Sequence, residues 1–202
     1  MVQTARRLRP ARTSILDAAR GLFENEDFIA VTLEAVAREA GVSRQAVYVN
    51  FGSRAGLLVA LVNHVDEIGG LGAKIAKVLE SPTAIGALEA LVDLRARYTP
   101  SIYRLATLVD AARRFDADAE ESWQDRMQLR YTHSLAVAQR LAAEGALVPG
   151  WTASDAADLI WSLTSIRTYE DLVIDRGWSV NRYRQRIKAI LVGMLVGNKV
   201  TA

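Results

Sequence analysis

Apolar residues recur every three or four positions along most of this chain, the period of helices that bury one face. Ile15, Ala18, Ala19, Leu22 and Phe23 form the first such stripe and predict a helix over residues 13–25, with Ser14 and Asp17 at capping-box spacing near its start. An acidic turn over 24–27 follows, with Phe28 or Ile29 expected to anchor the loop. Leu33, Val36, Ala37 and Ala40 make a second stripe. Thr32 precedes it as an N-cap. Gly41 follows it where a helix ends in a left-handed turn, a conformation cheap only for glycine. Ser43 stands at a second N-cap, and the next helix runs to about residue 50 with Ala46, Val47 and Phe51 inward. Ser53 caps a fourth helix over 54–68, with Leu57, Leu58, Leu61, Val62 and Val65 on one face, and Gly69, Gly70 and Gly72 break it.

The rest of the chain keeps the helical period. Ile85, Leu88, Leu91 and Val92 place a helix over 82–97. Thr99-Pro100 has the form of an N-cap followed by proline at the first helical position, and predicts a new helix over 100–112. The acids around residue 118 open a long helix with negative charge at its positive end, running to about 144 and stopping at Gly145. Thr152 and Asp155 suggest a capping box for a helix over 152–175. The Arg176-Gly177-Trp178 break is followed by Ser179, which caps a last helix over 179–197. The pattern therefore predicts nine helices and no strand, an all-α protein.

Chemistry enters at the second and third helices. Two short helices joined by a tight glycine turn, with small Ala37 where they cross, have the build of a helix-turn-helix, whose second helix lies in the DNA major groove. Ser43, Arg44, Gln45 and Tyr48 cluster outward at and after the N-terminus of that second helix. Arginine forks onto guanine and glutamine onto adenine. Serine and tyrosine hydroxyls and a helix N-terminus suit phosphate oxygens. The competing reading is a plain helical hairpin with a polar solvent face.

The stretch VTLEAVAREAGVSRQAVYVNFGSR, preceded by ILDAARGLF, resembles the DNA-binding head of the tetracycline-repressor (TetR) family over about residues 12–62. The matching positions are Thr32, Val36, Ala37, Ala40, Gly41, Val42, Ser43, Tyr48, Phe51 and Ser53. Asn50 stands where the family usually has His or Tyr, and Arg54 where it usually has Lys; both reach phosphate. The resemblance implies a DNA-contact set of Thr32, Ser43, Arg44, Gln45, Ala46, Tyr48, Asn50 and Arg54. It implies an N-terminal three-helix helix-turn-helix domain at 1–52 and a helical ligand-binding and dimerisation domain at 53–202, with the fourth helix as the lever between them. It also implies a homodimer through the last two helices that reads a palindromic operator on double-stranded DNA, with recognition helices roughly 34 Å apart.

Ile187, Ile190, Leu191, Met194 and Leu195 make one apolar stripe on the last helix, while Ala189, Gly193 and Gly197 recur every four residues as a smooth strip. Packing against a second copy and packing within one chain would both produce this pattern. In the middle helices Trp123, Met127 and Tyr131 share a face, and Tyr98, Tyr103 and Trp161 add aromatic surface. Core filling explains each one singly. By analogy with the family, the six line a mostly apolar pocket for a small-molecule effector. Arg104, Arg130 or Arg167 could meet an acidic ligand.

Composition narrows the remaining classes. Half of the 202 residues are hydrophobic and 24% charged, which is globular. The net charge of +2 argues little, but Arg6, Arg7, Arg9 and Arg12 occur with no acid among the first 12 residues, as an arm that reaches DNA or as a solvated tail. Cysteine is absent, so no disulfide or thiol chemistry is expected. No signal peptide is expected, and the longest apolar run, 189–197, is far short of the ~20 residues that span a bilayer. A cytoplasmic location without membrane contact follows as the expectation. The two histidines, His64 and His133, have no partner at metal-ligand spacing, no G-x-S-x-G is present, and Glu170 and Asp171 point different ways. No catalytic residue, metal or cofactor is expected. A DNA-binding regulator without an effector, and a small all-α carrier or enzyme, are the alternatives.

Overall fold

A computed structural model describes residues 2–25 and 32–197. Among them are ten α-helices: α1 Val2–Asn25, α2 Leu33–Glu39, α3 Arg44–Phe51, α4 Arg54–Ile68, α5 Leu71–Leu79, α6 Ala84–Ala112, α7 Ala117–Ala143, α8 Ala153–Leu163, α9 Ile166–Tyr169 and α10 Val180–Leu195, with a π-helical segment Glu170–Asp175 after α9. The only other pairing among the described residues is an isolated antiparallel bridge, Leu147 to Val196. The class is all-α. The expected loop anchors Phe28 and Ile29 lie outside the described residues.

The count of nine becomes ten for identifiable reasons. α5 lies where three glycines suggested a loop: Gly70, at φ +61, turns the chain, and the apolar face of Ile75 and Val78 then buries. The break at Thr99-Pro100 does not exist; Pro100 sits inside α6. Its missing N–H leaves a carbonyl unbonded one turn back. On either side of it, the Thr99 hydroxyl donates to the Arg95 carbonyl at 2.8 Å and the Ser101 hydroxyl to the Tyr98 carbonyl at 2.7 Å. The helix predicted over 152–175 divides at Thr164, because Ser165 caps α9 by accepting from the Thr168 amide. Helix α1 begins at Val2 rather than Thr13, so Ser14 lies mid-helix and caps nothing. The predicted arm continues this helix, as arginine and alanine favour.

The chain divides into two compact units, Met1–Gly69 with Leu105–Trp123, and Gly70–Arg104 with Gln124–Ala202. In the first, Ile15, Ala19, Val36, Val47, Leu57 and Leu61 are buried where α1 to α4 pack together. In the second, Leu88, Leu91, Ala138, Leu141, Ile160, Ile187 and Leu191 make one continuous core. No single described helix is long and apolar enough to cross a membrane. The bent pair α3 and α4, which passes on composition, buries Val47, Phe51, Leu57, Leu58 and Leu61 inside the protein.

Candidate nucleic-acid interface

Local capping chemistry builds the helix pair in the first unit. The Thr32 hydroxyl accepts the Ala35 amide at 3.1 Å and starts α2. Gly41, at φ +66, turns the chain, and the Val42 amide returns to the Ala37 carbonyl at 2.9 Å, a C-terminal closure that an L-residue at Gly41 would strain. The Ser43 hydroxyl accepts the Ala46 amide at 3.1 Å and starts α3. Ala37, 4% exposed, lies within the packed region of α2 and α3. Each cap hydroxyl uses a lone pair inward and keeps its own O–H for an outside acceptor.

The outward face of α3 carries the expected contact residues in differing states. Gln45 is exposed, Ala46 half-buried and Tyr48 58% exposed. Arg44 is exposed, and its Nε lies 2.8 Å from Oε1 of Glu34 on α2. The Asn50 amide donates to the Ala46 carbonyl one turn back at 2.7 Å, so that side chain serves its own helix. Arg54 is exposed at the start of α4, which Ser53 caps by accepting the Gly56 amide at 2.9 Å.

Two residues of this region, Glu34 and Val49, escaped the sequence reading, and a third, Arg12, has a use the sequence did not indicate. Arg12, expected in an arm that reaches DNA or in a solvated tail, donates to the Asn50 carbonyl at 2.8 Å and lies 4.6 Å from the centre of the Phe51 ring, so it closes the C-terminal end of α3. Glu34 was passed over although it stands in the first turn of α2. Val49, 68% exposed, sits one turn after Gln45. A helical projection of α3 would have found Val49; the other two need the fold. His64 is hydrogen-bonded through Nε2 to Asp17 Oδ1 at 2.9 Å, linking α4 to α1.

The expected effector residues fall in both units. Trp123 is buried in the first, with the Arg113 guanidinium 5.4 Å from its ring centre. Asp110 and Glu120 hold that guanidinium at 2.6 and 2.9 Å and raise its pKa. In the second unit, Tyr103 donates to Glu170 at 2.6 Å and packs on Tyr169, which meets Tyr183 edge-on at 5.5 Å. The Trp161 indole donates to the Met127 carbonyl at 3.3 Å, the Tyr131 hydroxyl lies 3.3 Å from Ser154 Oγ, and Arg126 donates to the Tyr98 hydroxyl at 3.4 Å. Arg130 donates to the carbonyls of Trp161 and Thr164 at 3.3 and 2.9 Å, at the C-terminal end of α8. Burial pulls its pKa down to about 10. His133 lies 3.4 Å from Arg95, and burial followed by that charge lowers its pKa.

A capped helix pair with a polar, exposed second helix defines the head as a helix-turn-helix DNA-binding domain. Residues 15–61 match the family described as bacterial regulatory proteins, tetR family. The regulator AlkX of Mycobacterium tuberculosis is 56% identical over 46 residues, 23% of this chain and 22% of AlkX. The nucleoid occlusion factor SlmA of a Marinomonas strain is 30% identical over 125 residues, 60% of this chain and 58% of SlmA. The chain thus spans less than two thirds of either curated relative. NalD of Pseudomonas aeruginosa, the secondary repressor of the MexAB-OprM multidrug efflux pump, has a similar solved structure: 25% identity, TM-score 0.64, covering 95% of this chain and 99% of NalD. The family match thus covers the head of the chain, residues 15–61.

Proposed function

We propose that this protein is a sequence-specific DNA-binding transcriptional regulator, acting as a homodimeric repressor that a small, mostly apolar molecule releases from a palindromic operator. The observation that carries the DNA reading is α3: capped by Ser43, buried through Val47 and Phe51, and presenting Arg44, Gln45 and Tyr48 to solvent. Ser43, Thr32 and Arg54 supply phosphate contacts that set register, and the residues along α3 read base edges. The head is residues 1–52 and the remainder, 53–202, carries effector binding and dimerisation.

The dimer reading rests on α10. The predicted apolar stripe divides there: Ile187, Leu191 and Leu195 are core, whereas Ile190 and Met194 are 42% and 45% exposed. A groove of about 400 Å³ runs beside Ala189, Val192 and Gly193. A Cβ built on Gly193 meets nothing within 4 Å, so the chain's own packing does not require glycine there, and a partner helix approaching closely would. Repression is relieved by a shift in population: effector bound among the aromatic side chains favours a state whose two heads no longer match the operator spacing. The chemistry performed is binding, with no catalytic step.

Fluorescence anisotropy on DNA from just upstream of the protein's own coding region tests the reading. Tight binding that survives unrelated competitor DNA and falls steeply with salt is expected. Binding no tighter than to competitor, together with no sequence enriched from a random pool, refutes it. Apolar compounds that raise the melting temperature should also lower the anisotropy. Melting unchanged across such compounds would leave a regulator without an effector.

A further inference from the structure

Two adjacent apolar side chains stand out from the protein on α3, Tyr48 at 58% and Val49 at 68% exposure. Val47, on the same helix, is fully buried and is accounted for as core. Val49 has no such account. A β-branched residue at an exposed helical site loses side-chain freedom and gains no burial. It follows Gln45 by four residues, so the two side chains share a face. Around them, Asn50 is tied to its own helix and Arg44 to Glu34. The Gln45–Val49 pair therefore offers a bidentate amide beside a branched apolar group. In the major groove an A·T pair shows adenine N7 and N6 beside the thymine C5-methyl.

We propose that Val49 is a specificity-determining residue of the DNA-binding face, packing its methyl groups against the C5-methyl of a thymine in an A·T-containing step read together with Gln45. The inference rests on the DNA-binding reading above and adds the base it selects. Any operator should carry A·T pairs where α3 enters the groove.

The test starts from duplexes enriched by the full chain from a random pool. Each thymine is then replaced singly by deoxyuridine, which pairs identically and lacks the methyl. Removing the right methyl should weaken the unmodified protein about fourfold, the worth of one buried carbon group. Val49→Ala should bind the thymine duplex about that much more weakly and no longer distinguish it from the deoxyuridine duplex. Val49→Thr, which keeps one methyl and the side-chain shape, should fall between. Two results overturn the proposal: indifference of the unmodified protein to every replacement, or a Val49→Ala that loses equally on both duplexes and so stays as sensitive to the methyl as the parent. Failure to enrich any sequence would instead remove the DNA-binding reading itself, and the proposal with it.

Discussion

Two arginines show how differently the units use the same side chain. Arg44, in the first, has 65% of its side chain exposed and pairs with Glu34, itself 54% exposed. An exposed pair is worth about 0–1 kcal/mol, so Arg44 exchanges partners at little cost. Arg130, in the second, is desolvated and bound to two carbonyls at the end of α8, with its pKa pulled down to about 10. Its positive charge complements the negative end of that helix, and its guanidinium, 5.7 Å from the centre of the Trp161 ring, adds a cation–π contact. The first arginine stays accessible to solvent and the second holds the fold. Exposure and partner type, rather than residue identity, separate the two uses.

The sharpest way to break that distinction is to remove Arg130. Arg130→Ala leaves the Trp161 and Thr164 carbonyls short of a donor and opens a void beside Trp161, and should cost about 2–4 kcal/mol of stability. Urea denaturation reads the loss. DNA base preference at a temperature where the variant is folded should not change. A variant that melts normally would place Arg130 among residues kept for a ligand.

Arg44→Ala should do the reverse. It should cost about 1–3 kcal/mol of DNA affinity and relax preference at one base pair, with stability within about 0.5 kcal/mol of the parent. Anisotropy against a panel of single-base operator variants gives the answer. Unchanged preference would take base reading away from Arg44 and leave it to its neighbours on α3.

Much of this organisation was legible in the sequence, because cap chemistry is local. Thr32, Ser43, Ser53, Thr152 and Ser179 all cap where a polar residue precedes an apolar period, and Thr152 with Asp155 forms a full capping box. What failed was any signal that packing could override. Thr-Pro reads the same at a helix start as within a helix, and burial of α6 on both sides of Pro100 decided for continuity. Three glycines near residue 70 concealed α5, whose two buried residues repay only within the fold. At the site, the face of α3 was readable. The attachment of Arg44 to Glu34, and the use of Arg12 on the Asn50 carbonyl, join residues from different helices that no spacing rule connects.

A smaller effect belongs to Glu34. On the proposed DNA-binding reading, Glu34→Gln removes the charge that pairs with Arg44 and takes one negative charge away from the surface beside α3. Affinity should rise by less than about 1 kcal/mol, shrinking further as salt screens the exposed pair. A fall in affinity would mean that Glu34 orients Arg44 for binding instead of restraining it.

The smallest effect is a pH dependence confined to the second unit. Burial and the neighbouring Arg95 hold His133 below its ordinary pKa, so the unfolded chain takes up its proton at a higher pH than the folded one. Between those two values the unfolded state binds more protons, and stability rises with pH. The contribution is fully present above the unfolded value near 6.5 and declines as pH falls through it toward the folded value. Other groups titrate in the same range, so the measurement is a difference: denaturant midpoints of the parent and of His133→Gln at pH 7.5 and 5.5. The parent should lose more stability on acidification than the variant, while Arg44→Ala should follow the parent. Equal losses in parent and His133→Gln would mean that His133 keeps its proton equilibrium on folding, and that the contrast between desolvated Arg130 and exposed Arg44 does not extend to this histidine.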